Sequence, residues 1–174
     1  MNVLDIAQNS VRADAKNVSV LIAEDSSADK LTIDIIDDGC GMTEEQVTNV
    51  TDPFFTTRKT RKVGLGIPFF KMAAEMTGGE FNIRSEVGKG TTVHATFGLT
   101  HIDRMPMGDI AGTMSCLMCL NEDINFIYTY TVDGNSFTAK TEEFKKILEG
   151  VPMNDPSIMQ FITSYLAENT EALR

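Results

Sequence analysis

The chain has 174 residues, 42% of them hydrophobic, and a formal net charge of −10; this is the size of one domain with a substantial core, and no apolar run approaches the ~20 residues of a membrane helix. The acidic balance argues against a nucleic-acid partner, because phosphate backbones are held by clustered Lys and Arg. Residues 1–14 lack a signal-peptide layout, and Cys40, Cys116 and Cys119 are too few for a secreted disulfide framework, so the expectation is a cytoplasmic chain with reduced thiols and no membrane partner.

Taken in order, residues 3–14 read as a helix with Leu4, Ala7 and Val11 on a core stripe. Alternation at Val18, Val20 and Ile22, and again at Leu31, Ile33 and Ile35, predicts two strands joined by a hairpin through residues 24–30. A second helix is expected after Gly66, with Pro68 in its first turn, Phe69, Met72, Ala73 and Met76 facing inward, and Gly78-Gly79 as its stop. Strands follow over residues 80–85 and 91–97, turning at 87–90. Strands joined by hairpins beside segregated helices predict an α+β sandwich of two layers. Near Gly98 the character changes. The tail, 99–174, is read as an accessory extension with a helix at 109–120, a hairpin of 124–132 and 136–140 turning at Asp133-Gly134, and a closing helix at 156–173.

Four segments carry candidate chemistry. Asp5, Asn9 and Arg12, spaced four and three apart, form one polar stripe on the first helix. The amide oxygen of Asn9 suits Mg²⁺, Arg12 suits a phosphate, and Asp5 can orient a water or accept a proton. Asp37-Asp38-Gly39-Cys40-Gly41-Met42 puts a carboxylate at a strand end, ahead of glycines that permit close approach and a methionine that can pack on a planar base. Asp52 to Arg58 leads into a basic run, Arg58, Lys59, Arg61 and Lys62, and then to Gly64-Leu65-Gly66, a glycine-rich helix entry suited to phosphate oxygens. Finally, Thr91 follows Gly88-Lys89-Gly90 at the start of a strand, where its hydroxyl can read a base edge. Each segment alone has an ordinary alternative: a solvated helix face, a tight turn, a basic loop, a hairpin.

Together, in order and spacing, they resemble the N, G1, F and G2 boxes of the GHKL superfamily of histidine kinase-like ATPases, closest to its kinase branch. The resemblance covers residues 1–98. It implies the left-handed βαβ nucleotide-binding sandwich, with ATP and Mg²⁺ as cofactors. It also implies site roles: Asn9 as magnesium ligand, Asp37 as acceptor for the adenine amine, and Gly39, Gly41 and Met42 as the base pocket. Arg12 is implied as a phosphate contact, Gly64, Leu65 and Gly66 as the phosphate loop, Thr91 as a base contact, and residues 56–63, including Thr57, Arg58 and Lys62, as the ATP lid. The sequence departs from the pattern in three ways. Lys62-Val63 replaces the first Gly-Thr of the glycine loop; Asp5 stands where the hydrolytic branch has a glutamate; and the chain opens almost at the first box, so the tail or a partner is expected to supply what precedes it elsewhere.

The function implied is a stand-alone regulatory kinase or ATP-dependent signalling module acting on a partner protein, the phosphoacceptor, with homodimerisation compatible. The alternatives are a non-catalytic nucleotide sensor or assembly module, and a slow ATPase of the gyrase or MutL kind with Asp5 as base. His94 and His101 read as structural rather than as acceptors. Cys116 and Cys119 sit on an apolar helical pattern that reads as core, with a four-cysteine metal site open only where two chains meet.

Overall fold

The computed structural model describes residues 3–52 and 65–174. Helix α1 (Val3–Arg12) is followed by β1 (Asn17–Asp25), β2 (Lys30–Asp37) and α2 (Glu44–Val50). Then come α3 (Gly66–Met76), β3 (Phe81–Glu86) and β4 (Gly90–Gly98). The tail contributes α4 (Ile110–Leu120), β5 (Asn125–Val132), β6 (Asn135–Lys140), α5 (Thr141–Leu148) and α6 (Pro156–Glu171). The six strands form one sheet in the order β3-β4-β2-β1-β5-β6. All neighbours are antiparallel except β1 and β5, which run parallel with Val18 opposite Phe126. The result is the expected α+β class, a mixed sheet carrying helices.

Strand alternation places Val18, Val20, Ile22, Leu31, Ile33, Ile35, Val93, Ala95, Phe97, Phe126, Tyr128 and Tyr130 on one buried face. The helices cover that face, α1 and α3 over the first four strands and the packed pair α4 and α6 over β5 and β6. The opposite face carries smaller and more polar side chains, including Thr32, Asp34 and His94, with Asp34 and His94 directly paired across β2 and β4. The tail therefore does not stand apart from the sheet: β5 occupies the edge of β1, and Leu117, Phe126, Tyr128 and Leu166 share one apolar core with α1 and β1.

Two expectations require correction. The second helix does not bury Phe69, Met72 and Met76, which are 54%, 51% and 56% exposed; it buries Ile67, Pro68, Phe70, Ala73 and Ala74 instead. The two charged residues of this helix, Lys71 and Glu75, share a face that lies between the two apolar stripes and favours neither, so the choice falls to what fits the sheet. Phe70 wins by packing edge-on against Phe97 and Phe81. On α1, likewise, the buried residues are Val3, Ile6, Ala7 and Ser10, with Leu4 and Val11 at the margin.

Helices α2 and α5 are additions to the sequence reading. Thr43 and Gln46 close a reciprocal capping box at the start of α2, a pattern visible in Thr43-Glu44-Glu45-Gln46. The glycine pair ends α3 as expected: Gly78 has φ +76, and a Cβ on Gly79 would lie 1.8 Å from the Thr96 carbonyl oxygen of the adjacent strand.

Candidate functional site

A cavity of about 510 Å³ opens between α1, α2, the start of α3 and the sheet. Asn9 and Arg12 reach it from α1, Ile35 and Asp37 from β2, Gly41 and Met42 from the turn that follows, and Thr91 and Val93 from β4. Four separate stretches of sequence thus converge because β2 and β4 are paired, with Asp37 opposite Thr91, while α1 crosses the same face.

Asp37 is held on both oxygens. Ser10 Oγ donates to Oδ2 at 2.6 Å and the Gly39 amide donates to Oδ1 at 2.8 Å. A carboxylate oxygen accepts more than one hydrogen bond, so this clamp orients the group while leaving acceptor capacity for a ligand amine. Ser10 is 2% exposed and was not singled out from sequence. Its signal was position: it lies four residues after Ile6 and three after Ala7, a hydroxyl on the stripe that faces the core.

The turn after β2 is anchored from both sides. Asp38 accepts from the Lys16 and Asn17 amides at 2.8 and 2.9 Å and from Asn17 Nδ2 at 2.8 Å. The side-chain bond from Asn17 leads in holding its carboxyl below the ordinary value of 3.8. Gly41 has φ +71, and a Cβ there would lie 2.0 Å from the Glu86 carbonyl oxygen, so only glycine lets the turn touch the β3–β4 hairpin. Ser85 bridges the same contact. Its hydroxyl donates to the Gly90 carbonyl at 3.0 Å, accepts from the Met42 amide at 2.8 Å and lies 2.8 Å from Thr91 Oγ1. With the Ser85 proton on Gly90, Thr91 is the donor to Ser85, and its oxygen can accept at the cavity.

On α1, Arg12 Nη1 donates to Asn9 Oδ1 at 3.0 Å, so the cation and the amide oxygen expected at a phosphate and a metal are adjacent. Helix α2 adds Gln46, Asn49 and Val50 to the wall, and Ile6, Ser10, Ala13, Cys40 and Ile67 complete it. Asp5, Gly39, Leu65 and Gly66 do not line this cavity. Gly39 stands just behind Asp37, and Gly66 lies against α1, where a Cβ would be 3.1 Å from that of Asp5. Thr57, Arg58, Lys62 and Gly64 lie outside the described residues.

The remaining candidates sit elsewhere. His94 Nδ1 is 2.5 Å from Asp34 Oδ1 on the open face of the sheet, and His101 Nδ1 accepts from the Asp103 amide at 3.0 Å. Cys119 is 1% exposed, its thiol pushed up by burial, and Cys116 is half-buried on the same helix.

The chain is similar over 95 residues to sporulation kinase E of Bacillus subtilis, 36% identical, covering 53% of this chain and 13% of that protein. It is 30% identical over 94 residues to the signal transduction histidine-protein kinase ArlS of Staphylococcus aureus, covering 51% and 21% respectively. It thus spans about a fifth or less of the length of these relatives. In structure it resembles the Aquifex aeolicus MutL ATPase domain complexed with ADP, at TM-score 0.55 and 16% identity, over 84% of this chain and 67% of that one. Residues 2–101 match the family model of histidine kinase-, DNA gyrase B- and HSP90-like ATPases. With more than half its length in that match, and with the expected sheet and helices, the chain belongs to this GHKL family.

Proposed function

We propose that the chain binds ATP with Mg²⁺ in the cavity beneath α1 and uses it, as a signalling module of the histidine kinase type, to act on a partner protein. The observation that carries this reading is the convergence of Asn9, Arg12, Asp37, Met42 and Thr91 on one cavity of about 510 Å³. Ile35, Met42 and Val93 offer an apolar slot for a purine, in which Asp37 accepts from the exocyclic amine and Thr91 addresses the adjoining ring edge. Arg12 neutralises phosphate charge, and Ile67 in the first turn of α3 contributes to the wall.

The donor set suits magnesium. Among the described residues no cluster of three or more His, Cys, Asp or Glu gathers to hold a metal. Asn9 would hold the ion through its amide oxygen, a hard ligand suited to Mg²⁺, which commonly keeps several waters and bridges nucleotide phosphates. The amide oxygen of Asn9 has two lone pairs, so it could hold the ion while Arg12, already beside it, would be placed to neutralise phosphate charge. When bound, Mg-ATP supplies an activated phosphoryl group, and the chain's part is orientation and charge neutralisation. Asp5, outside the cavity wall, has no role in this reading.

The test is calorimetric titration of the full chain with ATP and with a non-hydrolysable analogue, with and without Mg²⁺. Saturable binding that tightens with Mg²⁺ and falls by about tenfold or more in Asp37→Asn is expected. An Asp37→Asn variant that folds and binds ATP as tightly as the parent overturns the reading.

A further inference from the structure

A second cavity, of about 440 Å³, opens at the other end of the same strands. Glu24 and Leu31 reach it from the β1–β2 hairpin and Leu99 from just past β4, whereas Asp37 and Thr91 mark the opposite ends of β2 and β4. Leu31 and Asp37 are six residues apart on one strand, roughly 20 Å, so an occupant of one cavity does not touch the other. Its apolar wall comprises Leu31, Leu99, Met107, Ile110, Ala111 and Ala167.

The charges in this cavity are unevenly partnered. Arg174 grips Glu24 through two bonds of 3.0 and 2.9 Å, and the Tyr130 hydroxyl donates to the same carboxylate. Asp109 is engaged as the cap of α4, accepting from the Gly112 amide at 2.9 Å. Arg104 differs. Its Nε donates to the Leu99 carbonyl at 2.6 Å and its Nη1 to that of Met105 at 3.4 Å, and no carboxylate among the described residues lies within ion-pair distance of it. Against the cost of its burial, the Glu24 carboxyl is held below its ordinary value chiefly by Arg174, which grips it directly, and Arg104 lies near enough to help. The half-buried Arg104 guanidinium, fixed by carbonyls, therefore keeps donor capacity for a small anion. Glu171, exposed at the rim, disfavours a polyanion.

We propose that this cavity binds a small monocarboxylate with a short aliphatic body, its carboxylate on Arg104 and its chain against Met107 and Ile110. The site is independent of the nucleotide reading. Its test is an amide-resolved NMR titration of the full chain with butanoate, with pyrophosphate as the competing chemistry. Butanoate should give saturable shifts at the Leu99, Ile110 and Ala111 amides, weakened about tenfold or more in Arg104→Gln and unchanged in Asp37→Asn. Arg104→Lys, which keeps the charge but loses the planar fork, should fall between, and it decides the matter where the glutamine variant fails to fold. The proposal is overturned by the absence of saturable shifts at those amides, by undiminished binding in the Arg104 variants, or by pyrophosphate binding there more tightly than butanoate.

Discussion

Ser10 and Asp38 illustrate how the site is built one hydrogen bond at a time. Asp37 would contact a base, but Ser10 fixes its rotamer from a position with 2% exposure, through a 2.6 Å bond. Ser10→Ala removes a charge-assisted bond of about 1.5–3 kcal/mol, so ATP affinity should fall by about tenfold or more while the circular dichroism spectrum is unchanged. Unaltered affinity in calorimetry would show that the carboxylate is oriented by Gly39 alone. Asp38 is a structural counterpart. Because its folded carboxyl lies below the ordinary value of 3.8, it contributes stability that is fully present above that value and is lost as pH falls through the depressed one. Asp38→Asn should therefore cost about 1 kcal/mol at neutral pH, discounted for its exposure, and flatten the acid limb of a urea-midpoint profile. An identical acid limb in the variant would assign that limb to other carboxylates.

Among the elements, α3 shows where periodicity runs out. Phe69, Met72 and Met76 stand one helical turn apart, and so do Ile67, Phe70 and Ala74; both sets make plausible core stripes. The sheet selects the second, since Phe70 meets Phe97 at 5.5 Å between ring centroids. Phe70→Ala should then cost about 3–5 kcal/mol in urea unfolding, whereas Met72→Gln should stay within about 0.5 kcal/mol. The reverse order would restore the sequence-based orientation. Helix α2, by contrast, was legible through its capping box, and its omission left Gln46, Asn49 and Val50 out of the expected site.

Across the whole molecule, the tail and the family-matched region share one sheet and one core. Tyr128 of β5 is fully buried, and its hydroxyl meets Thr170 of α6 at 2.9 Å, tying the final helix to the centre of the sheet. Tyr128→Phe should cost about 1–3 kcal/mol by leaving a buried threonine hydroxyl without its partner. Burial pushes this phenol from its ordinary value of 10.0 up to about 12. A raised folded value means that the stability it contributes is complete below 10.0 and is lost as pH climbs towards about 12. The phenylalanine variant should lose that alkaline dependence in urea midpoints, and its persistence would point to Tyr130, which burial also raises.

Sequence alone determined the strand pattern, the glycine stops and the order of the nucleotide-box segments, because these rest on local rules: alternation, backbone freedom and spacing along the chain. Asn9, Arg12, Asp37, Met42 and Thr91 could be picked out because each sits at an element's end or on one of its faces. Tertiary structure alone decided which side of α3 is buried, that β5 lies parallel on β1, and that Ser10 clamps Asp37. These depend on contacts between residues far apart in the chain, where shape and hydrogen-bond partners select among alternatives that local periodicity leaves equal in energy.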